Sequence, residues 1–297
     1  SLVDKELIGY LETIIPINPL HGPPAIKGMN ACLRLLPNTP QVAVFDTSFY
    51  TTIEPSRYIY ALPYEYYEND NIRRYGFHGT SHRYVSAKTA EVLGKPIESL
   101  KMITCHLGNG SSITAVDGGK AIDTSMGFTP QEGIPMGTRS GSIDPTIIPY
   151  IMKTKGLSPD EMSDVLNKKS GLLGISGVSN DFRNCLAAAK EGNDRAALAL
   201  EILANGIKKL IGAYMAELNG LDVLVFTAGI GENQCEIRRM VCENMSGLGI
   251  EIDKDKNENF TRGVPFDITG KNSKVKVLIV PTDEEYMIAL DTQRLCK

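Results

Sequence analysis

Two of the chain's four histidines fall within five residues, in Arg74-Tyr75-Gly76-Phe77-His78-Gly79-Thr80-Ser81-His82. An imidazole in a glycine-flanked loop can donate to a group in transfer, whether neutral or charged. The i, i+4 spacing of His78 and His82 would also suit a metal pair on a helix. Gly79, however, sets His78 ahead of any helix, and no third ligand stands nearby; a packed core histidine is the plainer reading of either. Arg139 sits in Gly137-Thr138-Arg139-Ser140-Gly141. Most arginines are surface charges, but flanking glycines let a loop carry a guanidinium into a cleft, where its planar fork suits phosphoryl or carboxylate oxygens. Asp46 ends an apolar run and is either a turn residue or a carboxylate aimed at a metal or substrate. Glu284 follows another such run and either caps a helix or holds Mg²⁺.

Two glycine turns leave buried-strand patterns. His106, Leu107, Gly108, Asn109 and Gly110 follow Met102-Ile103-Thr104-Cys105, and Gly229, Ile230, Gly231, Glu232 and Asn233 follow Val223-Leu224-Val225-Phe226. Glycine at a strand exit lets backbone amides approach phosphate oxygens. Asn109-Gly110 alone is equally a hairpin turn. With His106 and Ser111-Ser112 adding side-chain donors, and with a second such turn in the chain, the pattern points to a nucleotide held between two walls. No Gly-Lys-Ser/Thr follows either turn, so neither is a Walker loop.

The elements that must carry these groups alternate between strand and helix, the mark of an α/β protein. Helical spacing of Val3, Leu7, Leu11 and Ile14 ends at Pro16. Val42–Phe45 reads as a short buried strand, and the Tyr- and Pro-rich stretch 55–71 as loop with short extended pieces. Helix signals resume after 79–82 and stop at Gly94. Strands over 102–105 and 113–116 make a hairpin, with Asp117-Gly118-Gly119-Lys120 as the next turn. Ser158-Pro159-Asp160-Glu161 has capping-box spacing and proline at the first helical position. A long helix runs from about 194 to 218 with Leu198, Ile202, Leu203, Leu210, Ile211 and Tyr214 inside. Strand 223–227, a helix carrying Ile237, Met240, Val241 and Met245, strand 275–280 and a helix after Pro281 complete the series.

Composition sets the class. A chain of 297 residues with 42% hydrophobic and 22% charged residues is a folded protein of about two domains. A net charge of −4 leaves no basic surplus for nucleic acid. No apolar run reaches the roughly 20 residues of a membrane span, and the N-terminal residues lack a signal-peptide pattern. Six scattered cysteines without a Cys-x-x-Cys pair read as reduced thiols of a cytoplasmic protein, and argue against zinc.

Taken in order, Val44-Phe45-Asp46-Thr47, Arg74–His82, His106–Gly110, Gly137–Gly141, Asp181-Phe182-Arg183, Ala228–Asn233 and Thr282-Asp283-Glu284-Glu285 resemble the acetate kinases, of the acetate and sugar kinase/Hsp70/actin superfamily. The resemblance implies an actin-like ATPase (ribonuclease H-like) duplicated fold. Residues 1–48 with 283–297 would be the remnant of a first domain and 49–282 a second, nucleotide-binding domain. It implies reversible phosphoryl transfer from ATP to acetate with Mg²⁺, in a homodimer; a propionate or other short-chain carboxylate kinase and an actin-like ATPase module are the alternatives. By position it makes Asp46, His78 and Arg139 catalytic. It gives the nucleotide to His106–Gly110, Asp181, Phe182, Arg183 and Gly229–Asn233, and Mg²⁺ to Glu284. Leu20, Phe77 and Pro130 would line a pocket for the acetate methyl. Ser142 and Gly22 stand where Asp and Asn are common in the family. The family's N-terminal strand and Asn-x-Gly-Ser-Ser-Ser-x-Lys-like loop are not in this sequence, so the resemblance also implies a start inside the first domain.

Overall fold

A computed structural model describes residues 1–15 and 22–297. Pro16 and Leu20 therefore lie outside the described residues. The chain divides into two compact units, one of residues 1–45 and 283–297, the other of residues 46–282.

In the first unit, helices Lys5–Thr13 and Gly22–Leu35 bury Ile8 and Ile26 around Val3, with Leu7, Leu11, Met29 and Leu33 at the margin. Asp4 caps the first helix by accepting from the Leu7 N–H. The strand expected over 42–45 does not form. Val42 makes a single bridge to Leu2, and Val42–Phe45 is only half buried. An apolar run becomes a strand only when a neighbour supplies the ladder. The unit's last helix is Glu284–Leu295, capped by Asp283.

The second unit is built on a mixed six-stranded sheet in the order β3-β2-β1-β4-β6-β5. Its strands are β1 (Lys101–Leu107), β2 (Ser111–Asp117), β3 (Lys120–Thr124), β4 (Val223–Thr227), β5 (Phe266–Asp267) and β6 (Lys276–Ile279). β1, β4 and β6 run parallel; β2, β3 and β5 pair antiparallel. The expected hairpin of β1 and β2 forms, pairing His106 with Ser112 and Thr104 with Thr114.

Alternation sends successive side chains to opposite faces. Ile103, Cys105, Leu107, Ile113, Leu224, Phe226, Val277 and Ile279 meet helices Phe182–Lys190, Asp194–Glu217 and Cys235–Cys242 in the main core. Met102, Val116, Val223, Val225 and Leu278 meet Val85 and Ala90 of helix Gly79–Leu93. Toward the far end of β1 this second face turns polar, with Thr104, His106, Ser112 and Thr114 all buried.

Local signals are realised where the chain alone decides them. Ser158 and Glu161 form a full capping box, and Gly94 ends its helix in the left-handed region. Two expectations are corrected. Residues 55–71 hold short helices, Pro55–Tyr58 and Tyr64–Asp70, too brief to show a period. Leu198 is 48% exposed; the inner stripe of the long helix runs through Ala196, Ala199, Leu200, Leu203, Ala204 and Ile207. Leu203, Ile211 and Tyr214 are buried as expected, but alanines line much of the inner stripe and give close approach to the packed helices, so hydrophobicity alone misplaced Leu198.

Candidate active site

His78 precedes helix Gly79–Leu93 in the left-handed conformation, at φ 60°. A non-glycine residue there costs free energy and persists only when its surroundings hold it. Asp46 does so: its carboxylate accepts from the backbone N–H of His78 and, at 3.2 Å, from that of Thr80. Asp46 thus fills the capping position that the His78 side chain leaves unfilled. Gly79 lets the two segments close, since a Cβ there would lie 2.0 Å from the Asp46 carbonyl oxygen. Below the loop, the buried Tyr50 hydroxyl donates to the Phe77 carbonyl, and its ring underlies Gly76, at φ 77°.

Helix 79–93 lays its first turn on the polar end of β1 and β2. His78 Nδ1 is 2.9 Å from Ser112 Oγ, and the same oxygen is 2.7 Å from His82 Nε2. His82 Nδ1 lies 2.6 Å from Thr104 Oγ1. His106 stacks on His78 with ring centroids 4.1 Å apart, and its Nδ1 is 2.8 Å from Ser81 Oγ, which in turn meets Thr282 Oγ1 at 2.7 Å. His82 is a core histidine, with each ring nitrogen against a side-chain hydroxyl. Burial lowers the pKa of all three imidazoles below the ordinary histidine value. For His78, Asp46 pulls upward and Arg139 downward; His82 is further lowered by His106 and His78, and His106 by His78. All three are therefore neutral at pH 7.

Arg139 comes from the loop after β3. Its Nη1 donates to the Pro130 carbonyl at 3.0 Å and contacts Met136 Sδ at 3.6 Å. Among the described residues it has no carboxylate partner, and burial lowers its pKa. Gly171, at φ 62°, packs beneath this loop, where a Cβ would lie 2.1 Å from the Met136 carbonyl oxygen. The loop bearing Pro130 is staked by Glu132, which pairs with Arg74 at 3.0 Å and accepts from the Tyr60 hydroxyl.

The groups converge at the β1–β2 turn. A Cβ on Gly110 would sit 3.3 Å from Arg139 Nη1 and 3.4 Å from His78 Nε2. A cation and an imidazole thus face one glycine. Gly108 closes the turn by donating to the Gly110 carbonyl at 3.1 Å and to Ser111 Oγ at 3.2 Å. Asn109 Oδ1 accepts from Asn180 at 3.5 Å. Leu107 is a core residue, so only its backbone can serve a ligand.

The second turn leaves β4 as a six-residue helix, Ala228–Asn233. Glu232 folds back and accepts from the N–H of Ala228 at 2.8 Å, the N–H of Thr282 at 3.1 Å and Thr227 Oγ1 at 3.4 Å. It holds Ala228 in the left-handed region, at φ 63°. Ile230 is half buried, and Asn233 donates to the Gly229 carbonyl at 3.1 Å. Gly231 lies against β1. Gly229 is exposed, has no positive φ and has no protein atom within 4 Å of a would-be Cβ, so the fold does not require glycine there. That open cradle fits a nucleotide. Asp181 caps helix Phe182–Lys190 through the Arg183 N–H and pairs with the Arg183 guanidinium at 2.6 Å; Phe182 is a core residue that offers only backbone.

Phe77 and Pro130 each contribute a half-buried side chain to the segments that hold His78 and Arg139, whereas Leu20 lies outside the described residues. Glu284 opens the last helix of the first unit. No group of three or more His, Cys, Asp or Glu among the described residues could hold a metal by itself. Mg²⁺ that arrives with nucleotide phosphates needs only one or two protein carboxylates.

Sequence reasoning passed over Tyr50, Thr104, Ser81, Thr282, Glu132 and Arg238. Arg238 is fully buried without an acid: it donates to the carbonyls of Gly231 and Glu232 at 2.8 and 2.9 Å and to Asn257 Oδ1 at 2.7 Å. Burial brings its pKa to about 10, still charged at pH 7. It grips the Ala228–Asn233 turn from beneath. Two adjacent arginines, Arg238 and Arg239, stand between Ile237 and Met240, and the sequence holds no signal that tells the buried one from the exposed one.

The chain is 57% identical to the acetate kinase of Thermoanaerobacter pseudethanolicus over all 297 residues, which span 74% of that protein. It is 54% identical to the acetate kinase of Methanosarcina acetivorans over 100% of this chain and 72% of that protein. The crystal structure of Porphyromonas gingivalis acetate kinase superposes with a TM-score of 0.96 at 49% identity, covering 100% of this chain and 74% of that one. A propionate kinase from Francisella tularensis follows at 0.92 and 45%, covering 97% and 73%. The actin-like ATPase class expected from the sequence holds for this α/β architecture. Residues 1–290 match the Acetokinase family throughout, and the chain belongs to that family.

Proposed function

We propose that the chain catalyses reversible phosphoryl transfer from ATP to acetate, giving acetyl phosphate and ADP. The observation that carries the reading is the convergence of His78 Nε2 and Arg139 Nη1 on Gly110. A carboxylate oxygen of acetate attacks the γ-phosphorus as the bond to the β,γ-bridging oxygen breaks, so no proton need leave the acceptor. Such a transfer requires positioning and charge stabilisation. Arg139 supplies a fixed cation and His78 a neutral donor to the equatorial oxygens. Asp46 serves by setting the backbone of His78.

His106–Gly110, Asp181–Arg183 and Gly229–Asn233 take the nucleotide, with Glu232 and Phe182 acting through the backbone they hold. Mg²⁺ would arrive with ATP and neutralise phosphate charge, and the family resemblance gives Glu284 as the residue that would hold it. The family resemblance assigns Phe77 and Pro130 to the pocket for the acetate methyl; Leu20, the third residue of that assignment, lies outside the described residues. The family resemblance supports a cytoplasmic homodimer. No helix among the described residues is long and apolar enough to cross a membrane.

The test is hydroxylamine trapping of acetyl phosphate from ATP, Mg²⁺ and acetate by the full polypeptide; absence of product defeats the reading. The likeness to a propionate kinase gives the longer acid its claim. One methylene is worth about 1–3 kcal/mol in such a pocket, so kcat/KM for propionate above that for acetate would reassign the substrate. Phosphate release without any acceptor would favour an ATPase module.

A further inference from the structure

His78 can hand a hydrogen bond to a phosphoryl oxygen while neutral only if its proton sits on Nε2, the nitrogen beside Gly110. Which nitrogen carries it depends on the partner of Nδ1. That partner is Ser112 Oγ, at 2.9 Å, which is also 2.7 Å from His82 Nε2. Ser112 is fully buried and has one hydroxyl proton. It must donate to one imidazole and accept from the other, so the two histidines cannot choose their tautomers separately.

The far end of the chain sets the order. His82 Nδ1 is 2.6 Å from Thr104 Oγ1, whereas the nearest carbonyl to that hydroxyl, Thr114 O, is 3.4 Å away. If His82 carried its proton on Nδ1, the Thr104 proton would be left with the 3.4 Å contact, at the edge of a hydrogen bond. If Thr104 donates to His82, the protons of Thr104, His82 and Ser112 each have a partner within 2.9 Å, and only the His78 proton is left for a ligand. His82 then carries its proton on Nε2 and donates to Ser112; Ser112 donates to His78 Nδ1; and the His78 proton is left on Nε2, facing the site. Thr104, His82 and Ser112 are each wholly buried, so water offers no competing partner.

We propose that Thr104, His82 and Ser112 form a buried relay that fixes His78 as its Nε2–H tautomer, presenting a neutral donor beside Arg139. The three are positioning residues: they act through His78 and touch no substrate. The sheet makes the relay possible, because the β1–β2 register sets Thr104 and Ser112 on one face, beneath the helix that carries His82. The functional consequence rests on the reading that His78 meets the phosphoryl group; the tautomer itself does not.

The experiment is ¹⁵N NMR of imidazole-labelled, ligand-free full polypeptide at pH 7.5, with the ring resonances assigned by substitution. His78 and His82 should both show a pyrrole-type Nε2 and a pyridine-type Nδ1. Ser112→Ala should bring His78 into a mixture containing the Nδ1–H form. It should also lower kcat by about tenfold or more, by analogy with other imidazoles that lose the group orienting the far nitrogen, while KM for ATP and for acetate stays within about twofold. Ser112→Thr should restore the Nε2–H form. His78 found as Nδ1–H in the unsubstituted protein overturns the proposal. So does a Ser112→Ala protein with unchanged tautomer. If the tautomers are as expected but acetyl phosphate never forms, the relay stands and the functional reading falls. If acetyl phosphate forms and His78 is Nδ1–H, the reverse holds.

Discussion

Asp46→Ala isolates the cost of holding His78. The carboxylate makes charge-assisted bonds to the N–H groups of His78 and Thr80, at the start of helix 79–93. Losing a helix cap costs about 0.5–2 kcal/mol. A strained left-handed residue left unsupported adds about 1 kcal/mol, so the second unit should lose about 1.5–3 kcal/mol. For a unit of this size each kcal/mol lowers Tm by roughly 2–4 °C, giving a fall of about 3–12 °C. Asp46→Asn keeps one acceptor oxygen and should recover about half. Kinetics should separate from stability. With His78 displaced by about 1 Å, kcat should drop by about 10²-fold, with KM for ATP little changed. The assay is urea denaturation of both variants beside hydroxylamine-trapped turnover. An Asp46→Ala protein whose stability lies within about 0.5 kcal/mol of the parent would refute the capping argument, and a parental kcat would refute the positioning one.

Other perturbations probe the same convergence. Gly110→Ala puts a methyl at 3.3 Å from Arg139 Nη1 and 3.4 Å from His78 Nε2; turnover should fall by about 10- to 100-fold with less than about 1 kcal/mol change in stability, since the turn exposes the new methyl to the site rather than to backbone. Arg139→Ala should cut kcat far more than nucleotide affinity; equal losses in both would end its transition-state role. The histidines give a pH signature. Their folded pKa values lie below the unfolded 6.5, so between those values the unfolded chain binds more protons and stability rises with pH. Resistance to urea should be full above about pH 7 and decline as pH falls through about 6.5; a flat or inverse profile between about pH 8 and 6 would contradict neutral burial of these rings.

What the sequence shows and what it hides divide along the reach of the interactions. The Ser158 box and the Gly94 stop were legible because each is complete within a few residues. The β1–β2 hairpin was legible because its turn is local. The failed strand at Val42 depended on a distant neighbour, and the inner stripe of helix 194–217 on the small residues its partners require. The site divides the same way. His78, Arg139 and the two glycine turns stood out by residue type and spacing. What orders them did not: Asp46 reaches His78 across 32 positions and Ser81 reaches Thr282 across 201.

Links of both reaches share a common logic. His78 and Ala228 are left-handed non-glycine residues at the heads of the two elements that border the candidate site, and a carboxylate accepts from the backbone N–H of each: Asp46, 32 residues from His78, and Glu232, four residues along the helix that Ala228 opens. Asp46 accepts backbone N–H groups on both its oxygens, and Glu232 accepts two on Oε1 together with the Thr227 hydroxyl, which fixes the amide directions at these turns. Arg238 complements this from below by binding the carbonyls of Gly231 and Glu232. Backbone strain at the two turns is thus offset by half-buried carboxylates, joined at the second turn by the buried Arg238. Arg139, by contrast, has only a carbonyl and a thioether as partners. Among the described residues Arg139 has no carboxylate to offset its charge, and under the proposed function that is the asymmetry electrostatic preorganisation requires.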